Sequence, residues 1–285
     1  MDTRQSTDSR RYVVIDACVL FSDLHNYVSG SDQCVLSHAI VSDIVGSERF
    51  SKHKKDFARW LCKHAGSVWV AREWVELKEE EDRGSDCSQR FCWRDDYGTS
   101  LLRRSIVDPG CNMEQQLEQL AGSEVIEQFE NGRSAFLELV RDFENFLRTE
   151  QHEVVRELFS TAGKKQAQSL IQEPLLGGVF PRKLDVRYSS DEWQRQLNIF
   201  PDVKTFGRVS RILCWYGQSL LRQTGRRGLD ELPKKFGNNY EDFQYGLSAS
   251  YTGYLATKDR GLREMVEAVF PHVEVLEPSV SDKRG

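Results

Sequence analysis

Four acidic residues stand where they could do chemistry. Asp16 closes the apolar run Tyr12–Ile15 (YVVI). Asp259 lies just beyond the apolar pair Leu255 and Ala256. Asp242 opens a stretch of small and aromatic residues that leads into that pair. Glu76 falls early in REWVELKEEEDR, directly after the apolar run Val68–Ala71. Carboxylates gathered at the ends of buried strands repel one another even at an effective dielectric constant of about 20. They are costly to desolvate without a counter-charge. A divalent cation relieves both penalties, and Mg2+ or Mn2+ prefers oxygen donors, with water and phosphate completing the coordination. The pattern predicts a metal site built from Asp16, Glu76, Asp242 and Asp259. Glu73 and Glu79 share the segment of Glu76, so the sequence leaves open which glutamate completes the set.

Such a site requires strands that end together, because ligands in open α/β sheets bind outside the carboxyl ends of the strands. The continuous apolar runs Tyr12–Ile15 and Val68–Ala71 read as strands buried on both faces. Leu255 and Ala256 predict a third short strand, and VEVLEP a closing edge strand. Between the first two runs, the pattern predicts a polar passage through Gly30 and Ser31, an amphipathic helix from Cys34 to Val45 and a second helix from Ser51 to His64. The second carries Phe57, Trp60 and Leu61 on one face. A helix is expected over REWVELKEEEDR. From Arg83 to Asn112 the period is lost in turn-rich sequence, which predicts a long loop or irregular subdomain. Met113 to Phe159 reads as helix, broken at Gly122 and at Asn131-Gly132, with Phe136, Leu139, Val140, Phe143 and Leu147 on one stripe. Further helices are expected from Val203 to Thr224, from Tyr240 to Tyr251 and from Gly261 to Val269.

Strand–helix–strand alternation at both ends predicts a parallel α/β sheet. The helical middle reads as an insertion. The expected organisation is one domain over 1–285. Residues 12–82 and 201–285 form two halves of a core, and 83–200 form a large, mainly helical insertion.

VIDACVL, VELKEE, NNYEDFQYGLSAS and LATKDRGL together resemble the PIN-domain nucleases over roughly the first eighty and last fifty residues. The resemblance implies a PIN-like three-layer fold with a central parallel sheet. It also implies metal-dependent hydrolysis of phosphodiester bonds, usually in RNA, at carboxylates holding Mg2+ or Mn2+. Residue by residue it points to Asp16, Glu76, Asp242 and Asp259 as catalytic metal ligands, with Thr257 as the supporting hydroxyl. Position alone adds Asn239 as a hydrogen-bonding support and Lys258 as a phosphate contact. Family habit adds toxin or host-defence roles and an antitoxin or regulatory partner, and the helical middle could serve such a partner or a homo-oligomer. The chain departs from small PIN toxins in the size of its insertion, so their substrates and partners do not carry over. DNA or a structured junction is the alternative substrate, and a non-catalytic PIN-like adaptor the alternative role. Phosphohydrolases of the haloacid-dehalogenase type also place an Asp after the first strand. They need a second Asp two residues on, where this chain has Cys18.

The bulk properties bound these readings. A net charge of −5 excludes a protein that is basic all over, yet leaves room for a local basic strip to meet phosphates. Arg208, Arg211 and Arg222 lie in the most basic stretch and are the candidate nucleic-acid contacts. The seven cysteines are odd in number and show no Cys-x-x-Cys, which argues for free thiols rather than a disulfide framework or structural zinc. The start MDTRQSTDSRR has no apolar segment behind its charges, and no stretch approaches the ~18 apolar residues of a membrane span. A cytoplasmic protein without membrane association is expected.

Overall fold

A computed structural model describes residues 10–20, 24–40, 54–85, 91–107, 124–148, 205, 207–209, 212–213, 215–216 and 239–278. In chain order the elements are β1 (Tyr12–Ile15), α1 (Ala17–Leu20), α2 (Leu24–Tyr27), β2 (Gln33–Leu36), α3 (Lys54–His64), β3 (Val68–Ala71), α4 (Trp74–Asp82), β4 (Arg94–Asp95), α5 (Asp96–Val107), α6 (Glu124–Arg148), α7 (Tyr240–Thr252), β5 (Tyr254–Ala256), α8 (Arg260–Val269) and β6 (Glu274–Leu276).

The strands form one six-stranded sheet in the order β4-β3-β2-β1-β5-β6. All neighbours are parallel except β3 and β4. Val13, Val14 and Ile15 of β1 are fully buried, as the unbroken apolar run requires of a central parallel strand. The chain builds outward from β1 through β2 to β3, then returns on the opposite side of β1 with β5 and β6. The strand order therefore reverses between β1 and β5, and that is where ligand crevices form in open α/β sheets.

Helix α7 packs on β1 and β5, and α8 packs on α7 and β6. Nearly every residue of α7 from Phe243 to Ser250 is buried, so it is a core helix rather than an amphipathic cover. It ends at Gly253, whose φ of 84° lies in the left-handed region. There the Gly253 N–H caps the Ala249 carbonyl and the chain turns directly into β5.

Three expectations fail. The helix predicted from Cys34 is strand β2 as far as Leu36, paired in parallel with both β1 and β3. A three-residue apolar run fits either a strand or a buried helix turn, and burial on both faces decides for the strand. The loop predicted from Arg83 to Asn112 contains β4 and the twelve-residue α5. The Asp95 carboxylate accepts the Gly98 N–H at 2.8 Å, so the turn-like DDYGTS is a helix start. The break predicted at Asn131-Gly132 is absent, because α6 runs through it. A Cβ at residue 132 would stand 2.5 Å from the Tyr240 hydroxyl oxygen, so the glycine serves close packing rather than a turn. Within α6, Phe136 and Val140 are buried as predicted, whereas the side chains of Phe143 and Leu147 lie outside the described residues. Among the described residues no helix is long and apolar enough to cross a membrane.

Candidate functional site

The pairing of β1 with β5 brings the two ends of the chain together. Ile15 is registered with Ala256, and the Asp16 N–H donates to the Ala256 carbonyl at 3.1 Å. Asp16 and Thr257 therefore leave adjacent strands side by side. The Thr257 hydroxyl donates to Asp16 Oδ2. The Cys18 thiol donates to the same oxygen at 2.8 Å, and the Cys18 N–H donates to Oδ1 at 3.1 Å. Three donors thus orient a carboxylate that is only 6% exposed. The Asp259 N–H donates to Thr257 Oγ1 at 2.9 Å, which extends the chain of bonds to the start of α8. Asp259 is the N-cap of that helix, accepting the Leu262 N–H at 2.8 Å.

Asp242 approaches from the first turn of α7. Burial, followed by the charges of Asp259, Asp16 and Glu241 in that order, pushes its carboxyl up to about 7. The three aspartates therefore share one electrostatic neighbourhood. Cys18 is affected too: burial and its bonds to Asp16 push the thiol up to about 11, so it stays protonated. Tyr216, half-buried, is raised well above the usual tyrosine value by burial and then by Asp242, Asp259 and Glu241.

Glu76 has different neighbours. Its carboxylate accepts the Glu73 N–H at 3.1 Å in a reciprocal capping box at the start of α4. Burial raises its pKa, and His38, Asp95 and Arg72 are the other charges that act on it. Those groups belong to a second, buried cluster. His38 Nε2 lies 3.2 Å from Asp95 Oδ2, and His38 Nδ1 lies 3.5 Å from Glu73 Oε1. Glu73 Oε2 accepts the Tyr240 hydroxyl at 2.7 Å and the Gln244 side-chain amide. Burial pulls the His38 pKa down, but Asp95 and Glu73 outweigh it and the net shift is upward. Glu73 is pushed by burial up to about 7, against the pull of His38 and the Tyr240 hydroxyl.

The other predicted residues fall in several places. Lys258 is exposed beside Asp259, and its backbone N–H donates to Cys18 Sγ at 3.2 Å. Asn239 occupies the N-cap of α7 without a side-chain capping bond. Arg208 points into the fold. Its guanidinium donates to the Ser250 carbonyl and hydroxyl and lies 4.0 Å from the centre of the Tyr251 ring. Arg211 and Arg222 lie outside the described residues. Sequence reasoning missed Cys18 and Tyr216 beside the aspartates, and His38, Asp95 and Gln244 in the buried cluster. A strand assignment for Gln33–Leu36 would have placed His38 at a strand's carboxyl end, by the logic that selected Asp16.

Chemically, three carboxylates in one electrostatic neighbourhood are a donor set for a hard divalent ion. Their side chains as placed are not closed around one point: among the described residues, no group of three or more His, Cys, Asp or Glu is arranged to hold a metal ion. No family model, curated protein or solved structure matches the chain.

Proposed function

We propose that this chain is a metal-dependent nuclease of the PIN-like type, hydrolysing RNA at the edge where β1 meets β5. One observation carries the reading. Asp16, Asp242 and Asp259 come from opposite ends of the chain to the point where strand order reverses, and there burial, then the charges of Asp259 and Asp16, push the carboxyl of Asp242 up to about 7. A fold gains nothing in stability from such crowding, whereas a cation-binding site requires it. Asp16, Asp242 and Asp259 would hold Mg2+ or Mn2+. Glu76 is the fourth acid of the sequence pattern, and it is tied most closely to Glu73 and His38. The ion would supply charge neutralisation at the phosphate and a more acidic bound water.

The chain's own residues divide the remaining work. The Thr257 hydroxyl and both Cys18 donors fix the orientation of Asp16. The exposed Lys258 would meet a substrate phosphate through its side chain. Hydrolysis forms a bond from water oxygen to phosphorus and breaks the bond to the 3′ oxygen, which leaves with a proton. With its carboxyl raised to about 7 in the metal-free chain, Asp242 would release a proton on binding the ion near neutral pH.

The test is cleavage of single-stranded RNA and DNA in Mg2+ and in Mn2+ by the full chain and by Asp16→Asn and Asp242→Asn. RNA cleavage abolished in both variants supports the reading, and DNA as the better substrate moves it to a DNA nuclease. Unchanged cleavage in both variants removes the aspartates from the chemistry. A non-catalytic adaptor is the second reading, favoured by the capping role of Asp259 and the open arrangement of the acids. It predicts neither cleavage nor Mn2+ binding.

A further inference from the structure

We infer that the buried His38–Glu73–Asp95 cluster is a positioning unit for the aspartate site: it clamps the first turn of α7 and thereby sets where Asp242 stands. The link to Asp242 as a ligand rests on the metal-site reading, whereas the clamp itself does not. The cluster joins five elements. His38 follows β2, Glu73 caps α4, Asp95 closes β4, Tyr240 and Gln244 start α7, and Gly132 belongs to α6. His38 has no exposed surface, Glu73 is 2% exposed and Asp95 8%. Charged groups are buried to this extent only where partners offset their desolvation. Here an imidazole stands between two carboxylates, and the Gly98 N–H completes Asp95.

The bonds onto α7 are specific. Tyr240 and Gln244 are one helical turn apart, so they share a face, and both donate to Glu73 Oε2. Gln244 also donates to the Tyr240 oxygen at 2.7 Å. Asp242 stands between them in sequence and so projects from another side of the same turn. Helix α6 locks the arrangement from outside. The Trp74 indole donates to the Gly132 carbonyl at 3.0 Å, and a Cβ on Gly132 would lie 2.7 Å from Glu73 Oε2 as well as against Tyr240. The Asn239 side chain makes no capping bond, so it contributes nothing comparable to the fixing of this helix start. Rotating the turn to move Asp242 would break two buried bonds onto one carboxylate.

Two measurements on Tyr240→Phe and Glu73→Gln test this, with Leu61→Ala in α3 as a control for general loss of stability. Hydrogen exchange should accelerate locally in 243–247 in the two cluster variants, and not selectively there in Leu61→Ala. Mn2+ affinity, read by electron paramagnetic resonance, should weaken about tenfold in the cluster variants, as for other residues that orient a ligand, and stay unchanged in Leu61→Ala. Tyr240→Phe removes one hydroxyl and keeps the ring packing, so it remains informative if Glu73→Gln fails to fold. Wild-type exchange in 243–247 for Tyr240→Phe overturns the clamp. Faster exchange with unchanged Mn2+ affinity overturns the link to Asp242. A wild-type chain that binds no Mn2+ sinks the metal-site reading instead, and exchange alone then decides the clamp: selective acceleration upholds it, and uniform or absent acceleration overturns it.

Discussion

Two acidic groups lie along the same sheet, and they deal with their charge in opposite ways. At the junction of β1 and β5, Asp16, Asp242 and Asp259 are brought together with hydrogen-bond donors, and among the described residues the charges that shift Asp242 are all negative. Around β2, β3 and β4, Glu73 and Asp95 are buried too, yet His38 stands between them and neighbouring donors complete them. The second group is an internally balanced structural element. The first is unbalanced, half-open and at the point of strand reversal, which are the properties expected of a site that completes itself with something from solution. Acidic residues at strand ends are thus not equivalent, and under the proposed reading the counter-charge of His38 separates scaffold from site.

The contrast is broken most directly at its balanced side. Without the imidazole, Glu73 and Asp95 face each other unpaired, so His38→Ala should lose about 3–5 kcal/mol, as expected for removing one partner of a buried charged group. Urea denaturation measures this, and a loss of under about 1 kcal/mol would mean that water already screens the cluster. Asp242→Asn should do the reverse. It relieves like-charge repulsion, so the metal-free protein should melt at a higher temperature than wild type at pH 8. Mn2+ affinity should fall by more than the ~10–100-fold typical of outer-shell substitutions. A lower melting temperature would show that the aspartates support each other in the fold.

The pH dependence sharpens the same contrast. The carboxyls of Asp242 and Glu73 are raised from 3.8 and 4.5 to about 7, so the folded chain holds these protons more tightly than the unfolded chain. Their stabilising contribution is full below about pH 4 and is lost as pH rises toward 7. His38, raised above 6.5, adds a loss in the same direction at higher pH. Asp95 is lowered from 3.8 despite its burial, because His38 and the Gly98 N–H favour its charged form, and it acts only on acidification. Metal-free stability should therefore decline from pH 5 to pH 8, and Asp242→Asn should flatten part of that slope. A smaller effect is expected from Thr257→Val, which removes one hydrogen bond onto Asp16 and should cost about 1 kcal/mol. The smallest comes from the two helix starts. Asp259→Ala loses a capping bond worth about 1 kcal/mol, whereas Asn239→Ala, with no such bond, should change thermal stability by only a few tenths of a kcal/mol.

Strands β1 and β3 and the last helices were legible because their residues point one way at every level. YVVI and VWVA have no other comfortable home than a sheet buried on both faces. Leu262, Met265, Val266 and Val269 of α8 share one buried stripe. QCVL was not legible, since three apolar residues before Ser37 fit a helix turn equally well until β1 and β3 flank them. Gly132 misled for a related reason. Asn-Gly favours a turn locally, but the space left by the missing Cβ is filled by Tyr240 and Glu73. Arg208 read as a solvent-facing cation, although its partners on α7 lie some forty residues further along the chain.

By itself, the sequence determined an α/β chain whose acids stand at strand ends, because strand periodicity and the residue that follows each apolar run are local properties. Only the tertiary structure decided which acids meet. The registration of Ile15 with Ala256 joins Asp16 to Thr257 across the chain. The hidden strand β2 delivers His38 to Glu73 and Asp95, and the first turn of α7 carries both a tie to that cluster and Asp242. Whether a carboxylate is balanced or left uncompensated depends on contacts made between residues far apart in the chain, and no local pattern encodes them.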